Sequence, residues 1–212
     1  EDSPFKASNI LKMIERNNLT PKTICEVGCG IGEILLNLYS KLSDETEFFG
    51  YEISPQAYEV CKSKERERVN FFLSDFFENE NKNYDLVMAI DVIEHVEDYM
   101  TFLKKLRSKA ESTIFHIPLD MNALAIIREH PIINARKSVG HLHYFTKKTA
   151  LMTLEDCGYT VVDYFYTTGG FDLPGGSIKH RLFKIPRRVF FGVNQDLAAR
   201  FFGGFSLMVL AK

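Results

Sequence analysis

Apolar positions along this chain fall into short continuous runs that alternate with stripes at helical spacing. Ile10, Leu11 and Ile14 mark one face of a helix over 8–16. The run 23–27 reads as a buried strand ending at Gly28, and 31–42 as a helix with Ile34, Leu35, Leu38 and Leu42 on one stripe. A second strand covers 47–53. Ser54-Pro55 then supplies a cap and a first-turn proline for a helix through about 66. A third strand spans 69–73, followed by a turn-rich acidic stretch, and 84–90 is a continuous apolar strand. Val96, Met100, Leu103 and Leu106 predict a helix over 94–108, and 112–117 a further strand halted by Pro118. Strand and helix alternating at this pitch predict βαβ crossovers, hence an α/β fold with a parallel sheet covered on both faces.

The regularity fails after Pro118. Residues 119–145 carry only one short helical pattern, near 121–128, and an irregular stretch of this length points to a functional insertion. We expect it to be acceptor pocket and lid, with Arg128 or Arg136 available to fix an anionic group. A helix over 146–157 ends at Gly158, and a strand over 159–166 follows. Residues 169–202 read as a helical excursion broken at Pro186, before a last strand at 205–211. The whole of 1–212 is expected to be one domain.

Composition is that of an ordinary globular chain, with 45% hydrophobic and 25% charged residues. Lys and Arg number 26 against 28 Asp and Glu, a net charge of -2 that excludes nucleic-acid capture by an overall basic field. No apolar run approaches the ~18 residues that span a bilayer. Cys25, Cys29, Cys61 and Cys157 have neither zinc-type nor disulfide-framework spacing, so a reduced, cytoplasmic protein is expected.

The sharpest motif is Glu26-Val27-Gly28-Cys29-Gly30-Ile31-Gly32-Glu33, where the first strand hands over to a helix. Its glycines allow a tight turn and close approach of a ligand to backbone. Glu52, at the tip of the second strand, can accept both hydroxyls of a ribose. Glu33 stands where a dinucleotide fingerprint would need a small residue, which leaves a dehydrogenase a distant rival.

The motif resembles motif I of class I S-adenosylmethionine-dependent methyltransferases. The resemblance runs on through Asp75, Asp91-Val92-Ile93-Glu94-His95-Val96 and His141-Leu142-His143-Tyr144-Phe145-Thr146, covering roughly 20–165. It implies a Rossmann-like seven-stranded sheet, order 3-2-1-4-5-7-6 with the last strand antiparallel and helices on both faces. It also implies S-adenosylmethionine as cofactor. Gly28, Cys29 and Gly30 would meet the methionine moiety, with Glu26 near its ammonium, while Glu52 would hold the ribose. Ile53 would pack on adenine, Asp75 and the Phe76 backbone would read its edge, and Asp91 would stand beside the sulfonium.

Asp91, Glu94 and His95 are spaced to converge on one helical turn. The same spacing also fits a capping box that starts a helix. Similar motifs bind a metal in ubiquinone-biosynthesis O-methyltransferases and in small-RNA 2′-O-methyltransferases. By that resemblance Asp91, Glu94 and His95 are candidate ligands for a divalent cation, with His143 or His141 to complete the set. His95, His141 and His143 are the candidate catalytic residues.

The expected reaction is methyl transfer to an oxygen or nitrogen of a small molecule, such as an anionic metabolite or a sugar intermediate of glycan synthesis. The alternatives are a metal-assisted RNA 2′-O-methyltransferase and a non-catalytic, cofactor-binding regulatory subunit. Lys179-His180-Arg181-Leu182-Phe183-Lys184-Ile185-Pro186-Arg187-Arg188 mixes cations with apolar residues. A basic cover helix is the first reading of 179–188 and peripheral membrane contact the second. Nucleic acid comes last, because no RNA module accompanies the patch.

Overall fold

A computed structural model describes residues 2–78, 82–168 and 187–212. The elements alternate as the apolar pattern requires: α1 (Ser3–Arg16), β1 (Thr23–Val27), α2 (Glu33–Tyr39), β2 (Glu47–Glu52), α3 (Pro55–Lys62) and β3 (Val69–Leu73). A 3₁₀ turn (Phe76–Glu78) leads towards β4 (Tyr84–Ile90), α4 (Tyr99–Arg107) and β5 (Ala110–Pro118). Then come α5 (Ala123–Arg128), α6 (His130–Asn134), a π-helical turn (Ala135–Val139), α7 (Lys147–Asp156) and β6 (Val161–Thr167). Residues 187–193 are helical and precede α8 (Gln195–Phe201) and β7 (Ser206–Ala211).

The seven strands form one sheet, ordered β3-β2-β1-β4-β5-β7-β6. Pairs from β3 through β5 are parallel, whereas β7 runs antiparallel to both β5 and β6. Both faces are buried, so strand residues feed two cores in turn. In β4, Leu86, Met88 and Ile90 pack on the α1–α2 side, while Val87 and Ala89 join the α4, α7 and α8 side. The carboxyl ends of β1 to β5 therefore open on one common edge, the place where ligands bind in such sheets.

Three expectations change. The 94–108 helix begins only at Tyr99, where the Asp98 side chain accepts from the Thr101 N–H (3.2 Å). Residues 91–98 form turns instead, with Asp91 at φ 54°, so Asp91, Glu94 and His95 share no helical face there. The insertion after Pro118 holds α5, α6 and the π turn where one helical pattern was read; each is too short to show a periodicity. Of the excursion, 169–186 lies outside the described residues, and so does most of the basic 179–188 patch. Among the described residues no helix is long and apolar enough to cross a membrane.

Candidate functional site

The turn after β1 is fixed by backbone bonds to the neighbouring strand. The N–H groups of Gly28 and Cys29 both donate to the Tyr51 carbonyl, at 2.9 and 3.0 Å. Gly32 has φ 78°, and a Cβ there would lie 2.5 Å from the Phe71 ring, so only glycine fits beneath α2. At Gly28, φ 68°, a Cβ would come within 3.2 Å of Val92 and intrude on the edge where β1 meets β4. Glu33, the residue that breaks the dinucleotide pattern, opens α2 and is paired with Lys64 (2.5 Å).

Two carboxylates flank this turn. Glu52 is 8% exposed and accepts from the Gly30 N–H (2.8 Å) and the Ser54 N–H (2.7 Å). That orients it beside the glycines with further lone pairs free for hydroxyl donors. Glu26 is buried and its Oε2 has no partner. Burial pushes its carboxyl up to about 8, with Lys6 opposing and Glu52 adding to the rise. A buried acceptor in this state suits a ligand cation.

A cavity of about 490 Å³ joins the tips of the first four strands. Gly28, Glu52, Ile53, Asp75 and Asp91 all line it. Ile53 is 75% exposed at its mouth, and Asp75 accepts from the Phe77 N–H (2.8 Å), which leaves carboxylate oxygen for a donor. Phe76 borders the cavity, but its ring belongs to the core, edge-on to Tyr51 at 5.3 Å. Cys29 does not line the cavity: its thiol faces the Gly50 position, its N–H donates to Tyr51 and its carbonyl accepts from Gly32. Among the apolar walls, Val92 and Val96 belong to the fourth-strand motif, whereas nothing in the sequence marks Tyr51, Phe77 and Phe102 as walls. The aromatic pair Phe76-Phe77 is the available signal. Glycine cradle, partnerless buried acceptor and sugar-ready carboxylate together fit a cationic nucleoside of the adenosylmethionine type.

Asp91 faces this cavity but is held from behind. Its Oδ1 accepts from His116 Nδ1 (2.5 Å) and its Oδ2 from Lys6 Nζ (2.7 Å), while His116 Nε2 meets Thr167 Oγ1 (2.8 Å). Burial alone would raise the Asp91 carboxyl; the charge and hydrogen bond of His116, then those of Lys6, bring it down to about 2. His116 and Lys6 had drawn no attention in the sequence, since each meets Asp91 only through the tertiary fold.

A second group forms where the 91–98 turns meet the insertion. The Glu94 carbonyl accepts from the N–H groups of Leu142 (2.7 Å) and His143 (3.2 Å), which pins the two segments together. The Glu94 side chain is wholly buried, and neither carboxylate oxygen has a partner. Burial pushes it up to about 9, reinforced by the charge of Asp91 and, less, of Asp120. His95 Nδ1 lies 3.2 Å from the Gly140 carbonyl and His141 Nδ1 2.6 Å from Asp120 Oδ2. Each contact places the ring proton on Nδ1 in the neutral ring and leaves Nε2 with a free lone pair. The rings are edge-on at 4.9 Å, and one ligand atom each from Glu94, His95 and His141 lies within 4.8 Å of the others. This mixed set with a buried unpartnered carboxylate fits a divalent cation.

Of the candidate ligands, Glu94 and His95 therefore come together, and Asp91 and His143 do not join them. Asp91 is turned to His116 and Lys6. His143 donates through Nε2 to the Val96 carbonyl (3.0 Å) and packs its ring on Tyr99 at 4.4 Å. His141 occupies the third position. Beyond Asp120, a separate cavity of about 340 Å³ has Leu119, Met121 and Tyr166 as walls, with Lys148 and Arg200 among its lining. Arg128 and Arg136 are exposed.

Comparison with known proteins gives a methyltransferase domain family whose model matches residues 3–164. A curated ubiquinone biosynthesis O-methyltransferase of Rickettsia bellii (strain OSU 85-389) is 30% identical over 107 residues, 49% of this chain and 45% of the relative. The corresponding Rickettsia typhi enzyme is 31% identical over 91 residues, 42% of this chain and 37% of its own length. The matched stretch thus spans less than half of these relatives. Among solved structures, magnesium protoporphyrin IX methyltransferase from Synechocystis PCC 6803 with bound SAH superposes with a TM-score of 0.64 at 16% identity, covering 98% of this chain and 82% of that one. The methyltransferase domain of bacterial CtHen1 gives 0.62 at 16% identity, covering 100% and 98%. At such identities the likeness is one of fold.

Proposed function

Because the chain belongs to the class I S-adenosylmethionine-dependent methyltransferases, we propose that it moves a methyl group from that cofactor to an oxygen or nitrogen of a small molecule. The observation that carries this reading is the 490 Å³ cavity shared by Gly28, Glu52, Asp75 and Asp91 at four successive strand tips. Oxygen is the favoured acceptor, since the curated relatives are named O-methyltransferases.

When bound, S-adenosylmethionine supplies an electrophilic methyl carbon on a cationic sulfur. Glu52 would orient the ribose and Asp75 the adenine amino group, while Glu26 would accept from the ammonium. Asp91, kept anionic by His116 and Lys6, would place negative charge beside the sulfonium. Tyr51, Phe77 and Phe102 exclude water from the nucleoside.

Glu94, His95 and His141 would hold a divalent cation, which would lower the pKa of an acceptor hydroxyl. The buried, partnerless Glu94 favours this use of the cluster. Without a cation, the half-exposed His95 takes the acceptor proton at Nε2, the nitrogen left free by its contact with Gly140.

Calorimetry with S-adenosylmethionine and S-adenosylhomocysteine tests the foundation. Heat with both is expected; no heat with either, on folded protein, removes the reading. Turnover of phenolic, carboxylate and sugar acceptors by chelated protein, before and after Mg, Mn or Zn is restored, separates the two uses of the cluster. Binding without turnover of any acceptor class would instead support the regulatory-subunit alternative.

A further inference from the structure

Exposed large apolar side chains are unevenly spread over this molecule. Ile126 (54%), Ile127 (77%), Val139 (57%), Val189 (64%), Val193 (83%) and Phe201 (54%) all lie on α5, the π turn, the 187–193 helix and α8. These segments adjoin one another: α5 packs on α8 and on α6, and Phe190 of the 187–193 helix packs on Phe202 at 5.6 Å. Cations stand among the apolar tips. Within 121–145 and 187–203 there are six Lys or Arg against two acids, Glu129 and Asp196, in a chain whose net charge is -2. Asp196 is itself taken up by Lys147 and Tyr166, each at 2.5 Å. Arg128, Arg136, Lys137, Arg188 and Arg200 are exposed.

We propose that this face is a docking surface for a lipid bilayer bearing anionic headgroups, with the apolar tips entering the headgroup–acyl boundary and the arginines and lysines meeting phosphates. Short helices that present isolated Ile, Val and Phe tips suit the boundary region of a bilayer, where insertion is shallow and needs no shaped groove. Arg and Lys stems lie along apolar surface while their charges reach outward, which matches the flanking positions. A second copy of the chain is a poorer occupant. A two-fold contact through this patch would press the like charges of Arg128, Arg136 and Lys137 against their own images. The face grows from the carboxyl end of β5, the edge of the sheet that also carries the cofactor cavity. Docking would therefore hold that edge close to acceptors carried in the membrane.

Vesicle flotation tests the proposal without reference to methyl transfer. Phosphatidylcholine vesicles containing phosphatidylglycerol should carry the full chain upward, pure phosphatidylcholine should carry much less, and added salt should release it. Ile127→Asp with Val193→Asp should cut partitioning by at least about tenfold. Arg136→Gln with Lys137→Gln should cut it by about twentyfold on anionic vesicles and scarcely on neutral ones. Lys41→Gln, in the loop after α2, should change nothing. These positions are exposed, so melting curves should match the parent and exclude misfolding as the cause. The proposal is overturned if folded protein fails to float with anionic vesicles at low salt, or if the apolar double variant floats as well as the parent. It is equally overturned by a dimer that Ile127→Asp dissolves while vesicles stay unbound, or by RNA retention in place of lipid.

Discussion

Glu52 at the tip of β2 and Glu94 in the turns after β4 are both buried carboxylates on the same edge of one sheet. Glu52 receives two backbone N–H bonds within its own βαβ unit, whereas Glu94 receives none on either oxygen. A carboxylate that accepts such bonds is aimed by them; one without them costs free energy until a proton or a cation arrives. Glu52 and its turn are thus satisfied before a ligand binds. The region joining 91–98 to the insertion is left incomplete, with Glu94, His95 and His141 arranged around a position that chemistry has yet to fill.

The largest effect should come from breaking the satisfied turn. Glu52→Ala removes the acceptor for both N–H bonds together with the ribose partner. Cofactor affinity should fall by at least about a hundredfold, since two charge-assisted hydrogen bonds are lost. Calorimetry with S-adenosylhomocysteine reads this directly. A loss smaller than about fivefold would mean that the carboxylate serves the turn and not the ligand.

The incomplete region should respond differently. Glu94→Gln or His141→Ala should lower turnover by about ten- to a hundredfold and abolish any response to added divalent ion, while cofactor affinity stays within about twofold. His143→Ala is the contrast that sharpens the comparison. Its ring is engaged with Val96 and Tyr99, so the substitution should cost about 1 kcal/mol of stability and leave the metal response intact. Equal loss of the metal response in His141 and His143 variants would break the assignment.

The same division explains what could be read from the chain. The strands and the order of their tips were legible because a strand buried on both faces writes itself as an apolar run, and because glycines at positive φ mark the turn after β1. The seven-stranded order followed from the resemblance that those tips carry. The second region was less legible for a physical reason. Its contacts join residues far apart in sequence: Glu94 to 142–143, Asp120 to His141, Asp91 to Lys6 and His116. Spacing along the chain suggests that Asp91, Glu94 and His95 share a helical face; 91–98 folds as turns instead, and the Asp91 carboxylate meets His116 of β5. No periodicity distinguishes His141 from His143, two residues apart in extended chain.

The smallest effect concerns Glu26, which stands between the two cases: it belongs to the glycine-turn region, yet its Oε2 lacks a partner. Its carboxyl is raised from about 4.5 to about 8, so the folded protein keeps a proton that the unfolded chain releases. Its contribution to stability is full below about 4.5 and is lost as pH rises towards about 8. Glu94 adds a drift of the same sign extending to about 9, so Glu26→Gln should flatten only part of the slope and the double variant with Glu94→Gln should flatten more. Binding separates the two groups. A cofactor ammonium beside Glu26 favours the carboxylate, so binding at pH 7 should expel a proton, and calorimetric heats should differ between phosphate and Tris buffers. Glu26→Gln should erase that difference and weaken binding by about fivefold above pH 8, the value of one charge-assisted bond over a neutral one. Heats independent of buffer in the parent would show that Glu26 keeps its proton in the complex. The ammonium would then have to be received elsewhere, by an acceptor already ionised, and Asp91, held low by His116 and Lys6, is the cavity carboxylate given to neither ribose nor adenine.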